Sequence, residues 1–138
     1  MSKPWVMAVK AVVVDAQNRT LLLRRSPVNR HFQDCWEWPG GKLDPGEDYA
    51  TAVLRETREE IGLQVEITGL AGATTFEMVK VNVVLLCMEA RITGGEMHLS
   101  EEHDAYDWVP LGELGGKKLA GGVGDFMIEY SRKRLEIR

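Results

Sequence analysis

The chain has 138 residues, 44% of them hydrophobic, enough for one globular core and too few for two ordinary domains, so a single domain over residues 1–138 is expected. Its formal charge of −4, with no long basic run before the C-terminal SRKRLEIR, argues against a nucleic-acid polymer as partner. No apolar run approaches the ~20 residues that span a bilayer, and neither Cys35 nor Cys87 has metal-site or framework spacing, so a cytoplasmic protein with two free thiols and no membrane association is predicted.

Val6 to Val14 is rich in valine and interrupted by Lys10; Asp15 to Arg19 supplies turn residues, and Leu21 to Arg25 is a second apolar run, which together read as a β-hairpin. Ser26 to Cys35 lacks periodicity and reads as an exposed loop leading into Trp36, Glu37 and Trp38. One tryptophan of that alternating pair is expected in the core, leaving the other free to stack on a nucleobase. Pro39, Gly40 and Gly41 force an irregular backbone, and Asp44, Pro45 and Gly46 form a turn before a helix that Gly62 ends as its C′ residue. The stripe Ala50, Val53, Leu54, Thr57 and Ile61 would face the core.

Val65 to Phe76 and Val79 to Ile92 have the β-branched content of strands, the second lying centrally in a sheet. Gly94 and Gly95 mark a turn, Ser100 to Asp107 reads as acidic and irregular, and Trp108 to Leu111 as a short strand. Gly112 to Gly124, with six glycines, reads as a mobile loop, and Asp125 to Glu136 as a terminal helix with an acid near its start and cations near its end.

Glu56, Glu59 and Glu60 dominate this pattern. At about 100° per residue their carboxylates fall within an arc of roughly 100° on the helix. Like charges at such spacing repel, and a divalent cation relieves the repulsion better than water does. Magnesium prefers oxygen donors, which suits these carboxylates better than any His or Cys set in the chain. His31, His98 and His103 share no metal-binding spacing and read as surface residues.

Gly41, Glu47, Arg55, Glu56, Glu59, Glu60, Gly62 and Leu63 stand at every fixed position of the pattern G-x5-E-x7-R-E-U-x-E-E-x-G-U, with Thr57 at a position usually aliphatic. The chain thus resembles the Nudix hydrolases, whose box would cover residues 41–63. The resemblance implies an α/β fold, an α/β/α sandwich around a central mixed β-sheet with the box as its loop-helix-loop. It also implies hydrolysis of a nucleoside diphosphate linked to another group, with Mg²⁺ as cofactor and Mn²⁺ as a substitute. On this resemblance Glu56, Glu59, Glu60 and the carbonyl of Gly40 would hold the metal. Arg55 would orient Glu59, and Glu47 would tie the turn to the helix. A later acidic loop often adds a further group in the family, here Glu102 with Glu101 as rival, so the general base is Glu59 or Glu102. Arg24, Arg25 and Arg30 could bind phosphate, and Trp38 and Lys42 belong to a WEFPGGK-like run similar to that of the MutT-like branch, which makes Arg24, Arg25, Trp38 and Lys42 the expected substrate contacts.

Substrate marks of other branches are missing from Met78 to Val83, which favours a MutT-like nucleoside triphosphate pyrophosphohydrolase giving a nucleoside monophosphate and pyrophosphate. The last asparagine is Asn82, so the late asparagine that reads a purine in the 8-oxo-dGTP-cleaving members has no counterpart. The alternatives are a hydrolase of ADP-ribose, a nucleotide sugar or a dinucleoside polyphosphate, and a nucleotide-sensing regulator without turnover. A nucleotide is the expected partner, and family precedent allows a homodimer.

Overall fold

The computed structural model describes residues 2–136, so the last two residues of the basic C-terminal run lie outside it. The strands are β1 (Trp5–Val13), β2 (Arg19–Arg25), β3 (Trp36–Glu37), β4 (Gly40–Lys42), β5 (Leu63–Glu77), β6 (Asn82–Gly95) and β7 (His103–Pro110); the helices are α1 (Tyr49–Ile61) and α2 (Gly124–Glu136). A four-stranded sheet runs β4-β1-β6-β5 and a three-stranded sheet β3-β2-β7. β1 is parallel to β6 and antiparallel to β4, so the larger sheet is mixed.

Both faces are buried along the second half of β1, residues 9–13, and the middle of β2, residues 20–23, which is why these stretches read as apolar runs rather than as alternation. Val9, Ala11, Val13, Leu21 and Leu23 pack against Ala52, Val53 and Ile61 of α1. Val12, Leu22, Leu85 and Cys87 pack with Trp38 against Met127 and Tyr130 of α2. One helix thus lies on each side of the strands, giving the expected Nudix α/β/α sandwich. No helix among the described residues is long and apolar enough to cross a membrane. Cys35 and Cys87 are free and buried.

Several sequence expectations are corrected. β1 and β2 do not form a hairpin: β6 pairs along all of β1 and β4 with residues 8–10 on its other edge, while β2 joins the other sheet and is tied to the end of β1 by the Val14–Thr20 bridge and the Thr20 hydroxyl donating to the Val13 carbonyl. Gly94 and Gly95 still pair with Gln64 and Leu63 at the end of the β5–β6 ladder, whereas Val79, read as strand, lies in the exposed turn before β6. Residues 103–107 are strand, paired with β2, and only the positions just before them turn. The glycine-rich stretch contains a 3-10 helix, Leu111–Gly116, and Leu114, Ala120 and Val123 are buried in the α2-side core, so its apolar residues pin what its glycines suggest would move. On α1 the buried face is Ala52, Val53, Thr57, Glu60 and Ile61; Leu54 is exposed and Ala50 half-buried. The helix is rotated so that one of its glutamates points inward.

Candidate active site

α1 is delimited by side-chain chemistry at one end and by backbone geometry at the other. Asp48 caps its start, its carboxylate accepting the Thr51 N–H at 2.8 Å. Gly62 ends it at φ 73°, a left-handed conformation that costs glycine little, and donates its N–H to the Arg58 carbonyl. The chain after β6 then fastens this end, with His98 and Ser100 donating N–H groups to the carbonyls of Ile61 and Glu60. That strap brings Glu102 alongside a helix more than forty residues earlier in the chain.

Arg55 gathers the acidic side chains. It donates to Glu47 at 2.7 and 2.9 Å, to Glu56 at 3.0 Å, to Glu59 at 3.1 Å and to the Lys42 carbonyl at 3.2 Å. Glu47 also accepts the Asp44 N–H, which closes the turn onto the helix. The hydrogen bond from Arg55 is the largest influence on Glu47 and holds its carboxyl down at about 2. The same bond is the main reason that the Arg55 guanidinium is held still more firmly in its charged form. Arg55 therefore fixes the orientation of Glu56 and Glu59 instead of leaving both to solvent.

Gly40 and Gly41 let β4 run against both β1 and α1. A Cβ on Gly40, whose φ is 148°, would run into the Val9 carbonyl, and one on Gly41 would lie 2.9 Å from the Glu56 carboxylate. The N–H of Gly40 donates to Glu60 Oε1 at 2.9 Å, so Gly40 meets the acidic cluster through its amide. Glu60 is 5% exposed and has no salt-bridge partner among the described residues. Burial dominates its acidity; Lys10 and the Gly40 amide oppose the effect, Glu37 and Glu56 add to it, and the carboxyl is pushed up to about 8. Burial likewise raises Glu56, against the pull of Arg55 and with a further push from Glu59 and Glu102. Glu59 is open to solvent. These oxygen donors fit a hard divalent cation, which would neutralise a carboxylate that the protein buries without a counter-charge.

Behind this face lies a buried ionic group that the sequence reading missed. Glu37 accepts from Lys10 at 3.2 Å, from Arg25 at 3.0 Å and from the ring of His103 at 2.9 Å. Burial alone would raise its carboxyl, but Lys10, the His103 hydrogen bond and Arg25 outweigh it and hold Glu37 at about 2. His103 is 4% exposed, not the surface residue expected, because the strand alternation of β7 turns it inward while Asp104 points out. Two signals were available: Lys10 is a lone charge inside an apolar strand, and Glu37 lies on the face opposite Trp36 and Trp38.

The expected substrate contacts separate. Trp38 is fully buried, donates its indole N–H to Thr20 Oγ1 at 2.9 Å and meets Tyr130 edge-on at 5.7 Å, so it belongs to the core and cannot stack on a base. Trp36 lies beneath Lys117 and Arg24, and Arg24 pairs with Asp104. Arg25 is committed to Glu37, Asn29 and the His31 carbonyl. Lys42 and Arg30 are exposed. A cleft of about 190 Å³ opens beside the acidic face, with Lys10, Arg25, Glu37, Gly40, Gly41 and Lys42 on its polar side and Phe32, Phe76, Met78 and Leu85 on its apolar side. Glu101 and Glu102 are both exposed; the backbone of the pair is held by Ser26 and Asn29, and the Glu102 carboxylate comes close to Glu60.

Comparison with known proteins places this geometry among relatives. Residues 4–129 match the NUDIX domain. A MutT-like protein of Streptomyces ambofaciens is 32% identical over 108 residues, 78% of this chain and 66% of that protein. The 8-oxo-dGTP diphosphatase of Proteus vulgaris is 38% identical over 65 residues, 47% of this chain and 57% of its own length. The chain thus spans less than two thirds of either relative. Among solved structures, the MutT protein of Methanosarcina mazei Go1 superposes with a TM-score of 0.86 at 31% identity, covering 97% of this chain and 98% of that one. An intact box on α1, a matching fold over nearly the whole length and a domain match from residue 4 to 129 have one common reading: the chain belongs to the Nudix hydrolase family, as a MutT-like member.

Proposed function

We propose that this protein is a divalent-cation-dependent pyrophosphohydrolase of a nucleoside triphosphate, with Mg²⁺ as the cation and Mn²⁺ as a substitute. Water attacks a phosphorus of the anhydride chain, the P–O bond to the leaving pyrophosphate breaks, and a nucleoside monophosphate remains. The observation that carries this reading is Glu60, a buried carboxyl without a salt-bridge partner among the described residues, beside Glu56, Glu59 and Glu102. A divalent cation at that face supplies charge for the phosphate oxygens and lowers the pKa of a bound water.

The protein's own groups do the rest. Glu56, Glu59 and Glu60, with the carbonyl of Gly40, would hold the cation. Glu59 or Glu102, both solvent-accessible, takes the proton from the attacking water. Arg55 keeps Glu56 and Glu59 aimed. Lys42, exposed on the cleft rim, meets phosphate, and the apolar wall with Phe32 and Phe76 takes the base. A triphosphate is favoured by the similarity to a relative named an 8-oxo-dGTP diphosphatase. The names of similar proteins nevertheless divide among an 8-oxo-dGTP diphosphatase, an ADP-ribose pyrophosphatase and a bis(5'-nucleosyl)-tetraphosphatase, which keeps a diphosphate conjugate as the second reading.

The test is a product-resolved screen with Mg²⁺ across canonical and oxidised nucleoside triphosphates, ADP-ribose, nucleotide sugars and diadenosine polyphosphates. Monophosphate and pyrophosphate from one triphosphate, lost in Glu60→Gln, is the expected result. Turnover confined to a conjugate would replace the substrate class, and no turnover would turn the reading to a nucleotide sensor.

A further inference from the structure

We propose that Asn29 is a positioning residue for Glu102, and that through it the loop of residues 26–35 ties the aromatic wall of the cleft to the carboxylate beside the acidic face; this role rests on the hydrolase reading above. The loop touches both places. Phe32 lines the cleft, and its ring packs so closely on the Gly121 backbone that a Cβ there would come within 2.6 Å of it. Nearer the start of the loop, Ser26 donates its N–H to the Glu102 carbonyl at 2.9 Å and its hydroxyl to the Glu101 carbonyl at 2.5 Å. Asn29 Nδ2 donates to the same Glu102 carbonyl at 2.8 Å. Gln33, next to Phe32, closes the span by donating to the Asn29 carbonyl at 2.7 Å.

Both polar atoms of the Asn29 side chain are engaged. Its Oδ1 accepts from Arg25 Nη2 at 3.1 Å, and because a guanidinium only donates, this bond decides which way the amide faces. Its Nδ2 then has one hydrogen for the Ser26 carbonyl at 3.1 Å and one for Glu102. Arg25 is anchored in turn on buried Glu37 and reaches the His31 carbonyl at 3.0 Å, so the buried ionic group also sets the loop. Phe32 and Asp34 sit at φ 56° and 64°, a left-handed strain that non-glycine residues keep only where their surroundings enforce it. The Glu102 side chain is exposed, and one of its carboxylate oxygens lies within 4.8 Å of one of Glu60, so the main chain held by Ser26, Asn29 and Ser100 is what brings it there. A displacement of about 1 Å in a reacting geometry can cost ~100-fold in rate, which makes the Asn29 bond a control on turnover and not only on loop order.

The first test needs no turnover. In the metal-free full chain, Asn29→Ala should speed hydrogen exchange of the Ser26 and Glu102 amides about 10-fold while the β1 and β6 amides stay as they are. Unchanged exchange at Ser26 and Glu102 would overturn the tie. The second test is a double-mutant cycle with the nucleotide that the protein turns over. Asn29→Asp keeps the shape and the Arg25 bond but sets an oxygen against two carbonyls; it should lower kcat about 10-fold or more, and the loss should shrink below about 2-fold in a Glu102→Gln background. Phe32→Ala should raise KM and also lower kcat, the kcat part again vanishing beside Glu102→Gln. A loss from Asn29→Asp that persists in full beside Glu102→Gln would make Asn29 merely structural and overturn the proposal, and a Phe32→Ala effect confined to KM would overturn the link to the cleft wall. Turnover untouched by Glu102→Gln yet abolished by Glu60→Gln would overturn the proposal and leave the hydrolase reading standing, whereas no turnover in the wild type would overturn both.

Discussion

Glu37 and Glu60 are buried alike, each 5% exposed, and both feel Lys10, yet the fold treats their charges in opposite ways. Around Glu37 the chain assembles Lys10, Arg25 and His103, and the carboxyl is held ionised down to about 2. Around Glu60 it offers one backbone N–H and further acidic groups, and burial pushes the carboxyl to about 8. The first is a closed structural unit; the second is a carboxyl for which the described residues supply no salt-bridge partner. Proximity to an acidic cluster does not separate them. Their counter-charges do.

The largest expected effect falls on the closed unit. Glu37→Gln leaves Lys10 and Arg25 without their shared anion and should cost about 3–5 kcal/mol in denaturant unfolding of the metal-free protein. A loss under about 1 kcal/mol would break the contrast, because Glu37 would then be no more than another surface-like acid. Next is Glu60→Gln, expected to lower Mg²⁺-dependent turnover by about 100-fold or more while leaving metal-free stability unchanged or improved. Destabilisation as large as that of Glu37→Gln would mean that Glu60 is structural instead.

The pH dependence of unfolding in chelator sharpens the comparison, because the two signs differ. Between about 2 and its ordinary 4.5, Glu37 is ionised folded and protonated unfolded, so stability is lost as pH falls through that window. Between 4.5 and about 8, Glu60 is protonated folded and ionised unfolded, so its contribution declines as pH rises. Each slope approaches about 1.4 kcal/mol per pH unit at most, and Glu60→Gln should flatten only the upper limb. The smallest effect belongs to Trp38→Phe, which removes the indole bond to Thr20 at a cost of about 1 kcal/mol in stability. Its KM for nucleotide should stay unchanged; a raised KM would return Trp38 to the substrate site.

Much of this was legible in the chain because the box is local. Glu47, Arg55, Glu56, Glu59 and Glu60 lie on one turn and one helix, so fixed spacing translates directly into the Arg55 network. Gly62 and the central placement of β6 were readable for the same reason: both follow from nearby residue types. Sheet partnership was not. Nothing around Asp15 to Arg19 says that β4 and β6 occupy both edges of β1, and the hairpin reading failed there. Nor does local sequence say that Lys10, Arg25, Glu37 and His103 converge from four strands, so their meeting is a product of topology. The glycine count after Gly112 outweighed Leu114, Ala120 and Val123, whose burial is what orders that stretch.

The most direct measurement of the central claim is calorimetric titration of the chelator-treated protein with Mg²⁺ near neutral pH, repeated in buffers of different ionisation enthalpy, with Glu60→Gln alongside. The account predicts saturable binding that releases protons, since the cation displaces the proton that burial keeps on Glu60, with both binding and release lost or sharply reduced in the variant. Equal Mg²⁺ affinity in the wild type and Glu60→Gln would contradict it.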